Sequence, residues 1–257
     1  MEKLRLPDLR IVPYRLYPAE FNMAADEFLL AGDKPQLRFY GWQKPTLSFG
    51  RSNFSPVGLN PRIVEDRTVA KVRRLSGGKT VLHQYELTYS FSCDSSLFPS
   101  SILETYRLLS QPLAAAFEKY GLSPRMERME RRKSESSICF REVSSYELAV
   151  GKKKMVGSAQ YRRRKRFLQH GSILLKIDWD LWKTAWCIPC GSDRLERHIT
   201  SFHDELGLLP EANEVAETVK REYLSFFSAG GAVEDFSATE LATIRGLEKK
   251  YVWNGFV

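Results

Sequence analysis

The 257-residue sequence has no long hydrophobic run and few of the residues that cross-link small domains or bind metals. No stretch approaches the roughly 18 consecutive apolar residues of a membrane span, and the N-terminal MEKLRLPDLR has no apolar signal-peptide core. Four cysteines in a chain of this size argue against a disulfide framework. These features predict a cytoplasmic protein with no membrane partner.

A single C-x-x-C motif is the one feature that suggests a metal. Cys187 and Cys190 are followed by His198 and His203, but the gap from Cys190 to His198 is shorter than in a zinc finger. The aromatic pattern of a finger is also missing. We therefore predict no metal site and interpret these residues as ordinary cysteines, with a zinc site or a redox pair as less favoured alternatives.

The charge balance is strongly basic, with a formal net charge of +8 and a pI near 9.3. Basic residues are concentrated at 131–133, 152–154 and 162–166. Such runs form either a solvated basic face or a docking surface for an acidic partner. Charge alone does not choose between these two interpretations.

Periodic patterns predict alternating strands and helices in the first half of the chain. Residues 10–17 are typical of a strand, and Phe21, Ala24 and Phe28 recur at helical spacing, with Asn22 and Asp26 expected on the outward face. Residues 37–50 predict a hairpin or a bent pair of strands, 80–92 one half-buried strand, and 102–120 a long helix. The polar interval 125–137 predicts a mobile surface loop.

The second half predicts three neighbouring strands at 146–150, 155–159 and 172–177, and helices at 180–186 and 213–227. Ser237 and Glu240 form an S-x-x-E capping box for a last helix. The fold class is therefore α+β, with a central mixed, largely antiparallel β-sheet flanked by helices. We expect residues 1–257 to form one domain.

A glycine-rich segment, RRLSGGKTVLH at 73–83, has the properties of a ligand loop. Paired glycines allow close approach of a ligand to the backbone, and arginines can neutralise a carboxylate or phosphate. The spacing is not that of a P-loop. Taken alone, the segment is equally consistent with an ordinary turn.

One cysteine and one lysine suggest covalent acyl chemistry. Cys139 lies in SSICF and precedes Lys154, in GKKKMVGSAQ, by fifteen residues. Cysteine is nucleophilic as the thiolate, and a neighbouring cation lowers the pKa of the thiol. Each residue by itself is more typical of a buried cysteine or a surface lysine.

Five motifs in order give the pair its meaning: RFYGW, RRLSGGKTVLH with ELTYS, SSICF with SYEL, GKKKMVGSAQ, and LQHGSILL. In this order they resemble the biotin/lipoate protein ligase superfamily, most closely its LipM-type octanoyltransferase branch. The resemblance runs from about residue 21 to residue 177. It implies the catalytic-domain fold of that superfamily, without the C-terminal accessory domain of the long ligases.

The resemblance also implies a reaction. An octanoyl group would pass from acyl carrier protein to a lysine of a lipoyl-domain protein such as the glycine cleavage H protein, without a cofactor. Cys139 matches the acyl-accepting cysteine and Lys154 the lysine that faces the acyl carbonyl. The remaining implied acyl-pocket residues are Arg74, Ser76, Gly77, Gly78 and His83 on one wall and Gly157, Ser158, Ala159, His170 and Gly171 on the other.

Three other functions stay open at this point. An ATP- and Mg-dependent lipoate–protein ligase of the short type would leave Cys139 idle, and a lipoyl amidotransferase would move the acyl group between two lipoyl proteins. A nucleic-acid binder is suggested only by the net charge. Because no recognisable nucleic-acid-binding motif is present, we predict no nucleic-acid partner.

Overall fold

A computed structural model describes residues 4–51, 58–127, 147–187 and 195–254. Its strands are β1 Leu9–Tyr17, β2 Gln36–Trp42, β3 Thr46–Phe49, β4 Ala70–Arg73, β5 Val81–His83, β6 Glu86–Asp94, β7 Pro124–Glu127, β8 Glu147–Val150, β9 Lys153–Lys154, β10 Val156–Arg163, β11 Arg166–Leu174 and β12 Gly231–Val233. Its helices are α1 Ala19–Ala31, α2 Pro61–Glu65, α3 Ile102–Glu118, α4 Trp179–Ala185, α5 Phe202–Leu206, α6 Ala212–Phe226 and α7 Ala238–Glu248.

The main sheet has six strands in the order β10-β11-β6-β2-β1-β12. β1 runs parallel to β2 and β12, whereas the pairs from β2 through β6 and β11 to β10 are antiparallel. β4-β3-β5 and β7-β8-β9 form two small sheets. The predicted α+β class with a mixed, largely antiparallel sheet is confirmed.

Both faces of strand β6, in the middle of the main sheet, are buried, but they differ in character. Its odd-numbered residues, among them Leu87, Tyr89 and Phe91, join the apolar core that α3 and α6 cover. Its even-numbered residues Glu86 and Thr88, with Ser90 and Ser92, are polar and also buried. Alternation along a strand usually indicates one wet face, but here the polar face lies under protein.

Two predicted connections need comment. Of the two alternatives expected over 37–50, the pair of strands forms and the hairpin does not, because β2 belongs to the main sheet and β3 to the small sheet β4-β3-β5. The single strand expected over 80–92 is also two strands in different sheets. Tyr85 adopts a left-handed conformation with φ of 49°, which turns the chain between β5 and β6.

The three strands predicted after residue 146 exist, but only β10 and β11 are neighbours in the main sheet, whereas β8 pairs with β7 and β9. The basic run 162–166 forms the tip of the β10–β11 hairpin. The capping box of Ser237 and Glu240 is present at the start of α7. Within the described ranges, no helix combines the length and apolar character needed to cross a membrane.

Candidate active site

A pocket opens against the polar face of the main sheet and holds about 430 Å³ of empty space, with open solvent at its mouth included. It brings together seven residues singled out from the sequence: Arg74, His83, Gly157, Ser158, Ala159, His170 and Gly171. Seven further lining residues are Met23, Tyr40, Trp42, Ser48, Val81, Thr88 and Ser172. The two predicted walls therefore face one cavity.

The glycine-rich loop between β4 and β5 is fixed by Arg74 and Gly50. The buried Arg74 guanidinium donates to the Gly77 carbonyl at 2.9 Å, the Lys79 carbonyl at 2.6 Å and the Ser48 carbonyl at 2.8 Å. A Cβ on Gly50 would lie 1.9 Å from the Gly78 carbonyl oxygen. Gly78 itself has a φ of +96°, which favours glycine. The arginine predicted to bind an anion thus braces the loop backbone.

Ser76, His170 and Asp26 form a hydrogen-bonded chain, which we call the Asp26 relay. The Ser76 Oγ lies 2.6 Å from His170 Nε2, and His170 Nδ1 lies 3.1 Å from Asp26 Oδ2. An ionised carboxylate only accepts hydrogen bonds, so His170 carries its proton on Nδ1. With a neutral imidazole, the Ser76 hydroxyl then donates to Nε2. The relay joins the glycine-rich loop to β11 and α1.

Asp26 corrects a prediction, since we expected its side chain and that of Asn22 on the outward face of α1. Both side chains are fully buried against the sheet. The buried Arg38 guanidinium donates to Asp26 Oδ1 at 3.1 Å and to Asn22 Oδ1 at 2.6 Å. Tyr40 donates to Asp26 Oδ2 at 3.1 Å. Helical periodicity misassigned these two residues because it treats every polar side chain as solvent-facing.

Burial raises the pKa of Asp26, but the hydrogen bond from His170 and the charge of Arg38 outweigh burial, so the net pKa is below its ordinary value. Strand register explains how the partners meet. Arg38 pairs with Ser90, and Ser90 pairs with His170, so all three project from one face in a single row across β2, β6 and β11.

Ser48, His83 and Glu86 form a second hydrogen-bonded chain at the pocket, which we call the Glu86 relay. Ser48 Oγ lies 2.7 Å from His83 Nε2, and His83 Nδ1 lies 2.8 Å from Glu86 Oε1. Trp42 stacks on the His83 ring with centroids 4.1 Å apart. The sequence indicated His83 but gave no signal for Ser48 or Glu86.

The two oxygens of the Glu86 carboxylate differ in their hydrogen bonding. Oε1 is contacted by Trp42 Nε1 at 3.1 Å, Thr88 Oγ at 2.6 Å and Ser172 Oγ at 2.8 Å, in addition to His83. Oε2 is buried and has no hydrogen-bond partner within the described part of the chain. Four contacts exceed the two lone pairs of one oxygen, so they cannot all be strong at once.

The opposite wall is built from strands β10 and β11, which approach closely at Gly171. A Cβ there would lie 2.5 Å from Ser158 Oγ and 2.7 Å from a Tyr89 ring carbon. Ser158 Oγ bonds the Tyr89 hydroxyl at 2.9 Å, and Tyr89 belongs to the apolar core on the other face of the sheet. Small residues therefore keep this wall thin.

The predicted lysine is buried, whereas the predicted cysteine lies outside the described residues. The side chain of Lys154 is only about 3% exposed. Its backbone N–H donates to the His198 carbonyl at 2.8 Å, and its carbonyl accepts from Thr200 N–H at 3.0 Å. Cys139 falls in 128–146, so its distance from Lys154 stays a prediction.

The remaining sequence predictions concern the C-x-x-C motif and a loop. Cys187 is exposed, and Cys190 lies outside the described residues. The ordinary-cysteine interpretation therefore stays a prediction. The mobile loop expected at 125–137 begins in β7 and then leaves the described part of the chain.

Residues 18–224 match the family model described as the lipoyl protein ligase A/B catalytic domain. The chain is 39% identical over 237 residues to a protein of Brevibacillus brevis named octanoyltransferase LipM, covering 86% of this chain and 84% of that protein. It is 34% identical over 258 residues to a protein of the same name from Kyrpidia tusciae, covering 92% of this chain and 94% of that protein.

Among solved structures, the fold is similar to a bi-partite lipoate protein ligase from Thermoplasma acidophilum. The TM-score is 0.76 over 96% of this chain and 93% of that chain, at 18% sequence identity. At this identity the likeness concerns the fold alone.

Proposed function

Because the chain belongs to the lipoyl protein ligase A/B catalytic domain family, we propose that it moves an octanoyl group from acyl carrier protein to a lysine of a lipoyl-domain protein. The observation that carries the proposal is the 34–39% identity, over most of both chains, to proteins named octanoyltransferases. The family and the acyltransferase class agree with the sequence prediction.

The lining of the pocket supports an acyl substrate. Met23, Tyr40, Trp42 and Val81 offer apolar surface beside the glycine-rich loop. Each methylene that leaves water for such a surface contributes about 0.8 kcal/mol. An eight-carbon chain therefore gains several kcal/mol of binding free energy without any charged partner.

The first chemical step would form an octanoyl-enzyme. The Cys139 thiolate attacks the thioester carbonyl of the donor, a new carbon–sulfur bond forms, and the carrier thiolate leaves and takes up a proton. The Lys154 ammonium stabilises the thiolate and then the oxyanion of the tetrahedral intermediate. Backbone N–H groups near Gly77 or Gly157 are further candidate donors to that oxyanion.

The second step would form an amide. Lys154 would enter this step neutral, having given its proton to the departing carrier thiolate in the first step. The acceptor lysine attacks as the neutral amine, loses a proton to Lys154, and displaces the Cys139 thiolate, which the new Lys154 ammonium stabilises. Exchange between two thioesters is nearly isoenergetic, and conversion of a thioester to an amide is downhill. The reaction therefore needs no ATP or metal, and the glycine cleavage H protein is a suitable acceptor.

Intact-mass analysis after incubation with octanoyl carrier protein tests the proposal. We expect a mass increase of one octanoyl group that hydroxylamine removes and that is absent in Cys139→Ala. Cys93→Ala is the matched control, because Cys93 is fully buried and lies on β6, on the face away from the pocket. No adduct on the wild-type protein would refute the transferase.

Two alternatives give different results with the same variants. An ATP-dependent lipoate ligase would modify the acceptor with free acid, ATP and Mg, and Cys139→Ala would keep that activity. A lipoyl amidotransferase would accept the octanoyl group from an octanoylated lipoyl protein and not from the carrier. Running all three donors against the wild-type protein and Cys139→Ala separates the three functions.

A further inference from the structure

The basic residues 162–166 at the tip of the β10–β11 hairpin form two groups: two arginines that anchor the hairpin and three cations that face solvent. Arg162 donates to the Ser100 carbonyl and to Thr105 Oγ, each at 3.0 Å. Arg166 donates to the carbonyls of Leu30, Asp33 and Lys34 at 2.8 to 3.1 Å. These two arginines therefore fasten the hairpin to α1 and α3.

The three residues between them are exposed. Arg164, with a φ of +55°, sits at the turn itself, and Lys165 follows it. Arg163 has an ion-pair distance of 3.6 Å to Glu27, and its side chain remains 55% exposed. The tip of the hairpin thus carries three solvent-facing cations on a rigid support.

Two large aliphatic side chains lie beside this tip. Ile102 and Leu103, in the first turn of α3, are 51% and 43% exposed. Ser100 and Thr105, which accept the hydrogen bonds of Arg162, come just before and just after this pair in the chain. We call Ile102, Leu103, Arg163, Arg164 and Lys165 the hairpin surface.

The hairpin surface is continuous with the pocket wall. Ser158 and Ala159, which line the pocket, lie on β10, the strand that leads to the tip. The Tyr106 hydroxyl, one helical turn after Ile102 and Leu103, lies 3.5 Å from the Ser158 carbonyl. Five residues of extended chain from Ala159 to Arg164 span about 16 Å at about 3.3 Å per residue.

We propose that the hairpin surface is the docking site for the acyl donor, an acidic carrier protein that presents its thioester on a long flexible prosthetic arm. The inference rests on the proposed function. Exposed cations around an apolar pair complement an acidic surface with a small apolar contact. The separation of about 16 Å suits a donor with a long arm, whereas the short side chain of an acceptor lysine requires docking at the pocket mouth.

The test is the double charge reversal Arg164→Glu with Lys165→Glu, which leaves the anchoring arginines in place. We expect the KM for octanoyl carrier protein to rise at least about tenfold, with kcat nearly unchanged. The KM for a small octanoyl thioester such as octanoyl-N-acetylcysteamine should stay the same. Leu103→Ser, tested separately, should raise the carrier KM by a smaller factor.

The matched control is Arg67→Glu with Arg221→Glu, which changes the net charge equally at two exposed positions away from the hairpin. Its carrier KM should equal that of the wild type. A wild-type carrier KM in the hairpin variant would overturn the docking proposal, as would an equal loss with the small thioester. A rise in the KM of the lipoyl acceptor alone would overturn the assignment to the donor.

Failure of the proposed function gives a separate result. In that case the wild-type protein forms no octanoyl-enzyme from either donor. A wild type that is acylated by both donors, with a hairpin variant that is indistinguishable from it, refutes only the docking site.

Discussion

The Asp26 and Glu86 relays share a serine–histidine–carboxylate order but differ in how the carboxylate is satisfied. Asp26 has partners on both oxygens, including the buried Arg38 guanidinium. Glu86 receives its contacts on Oε1, and no arginine or lysine is among its partners in the described residues. Removing one member of a buried ion pair strongly destabilises the fold, because the other charge is left buried without its partner. A carboxylate bound by neutral donors can lose its charge at a smaller cost in stability. Substitution of Asp26 should therefore lower the free energy of unfolding more than substitution of Glu86.

Removal of the Asp26 side chain should have the largest effect on stability. Asp26→Ala leaves the fully buried Arg38 guanidinium without its carboxylate, which we expect to lower the free energy of unfolding by about 3–5 kcal/mol. Urea unfolding followed by circular dichroism measures the loss. Adding Arg38→Met should restore part of it. A loss below about 1 kcal/mol in the single variant would show that Asp26 does not balance Arg38.

Neutralising Glu86 should have a smaller effect. Glu86→Gln keeps an oxygen that can accept from Thr88 and Ser172, so we expect a loss of about 1–2 kcal/mol in the same unfolding assay. The variant for comparison is Asp26→Asn. It should lose more of the free energy of unfolding, because the charge opposite Arg38 disappears. Equal losses in the two isosteric variants would contradict the difference between the relays.

The two serines offer a finer contrast. Ser76→Ala and Ser48→Ala each remove one hydrogen bond to a histidine and should each cost about 1 kcal/mol. Of the two serines, only Ser76 lies in the glycine-rich loop and ties it to β11, whereas Ser48 lies in β3. Loss of Ser48 Oγ also removes a 3.2 Å contact with Arg74, but Arg74 keeps its three bonds to backbone carbonyls. Amide hydrogen exchange at residues 75–80 should therefore accelerate by about fivefold in Ser76→Ala alone. Equal acceleration in both variants would remove the distinction.

The half-buried ion pair of Arg10 and Glu240, outside the pocket, gives the smallest expected effect and a reference for both relays. The hydrogen bond from Arg10 is the main cause that lowers the pKa of Glu240 from 4.5 to about 2. A depressed carboxyl pKa adds stability above the unfolded-state value, and this stability is lost as the pH falls from about 4.5 towards 2. Thermal unfolding of Glu240→Gln should therefore show a shallower decline than wild type in that window. Parallel curves would show that the pair contributes nothing.

The sequence predicted the elements better than their partners. Periodicity located α1, α3 and α6, because each has apolar residues recurring over at least three turns, and the capping box of Ser237 and Glu240 located α7. It failed where one run of β-type residues is divided between two sheets, as at Tyr85, since a local pattern contains no information about which strand is the neighbour. It also failed at the sheet face under α1, where polar alternation indicates water but the structure has buried relays.

The candidate site was predicted in part, through motif resemblance. Arg74, His83, His170, Gly157 and Gly171 were named from their motifs, and all five line one pocket, whereas the predicted Ser76, Gly77 and Gly78 are not among its lining residues. Asp26, Ser48 and Glu86 were missed because each looks like an ordinary polar residue and acquires its partners only through tertiary contact.

The central claim, octanoyl transfer through Cys139, is tested most directly by a single-turnover experiment. Octanoyl-enzyme is prepared from the carrier donor, freed of carrier and mixed with unmodified lipoyl domain in the absence of ATP. The account predicts that the enzyme loses one octanoyl group and that the acceptor gains one on its lysine, resistant to hydroxylamine. An acceptor that stays unmodified until free octanoate and ATP are added would contradict it.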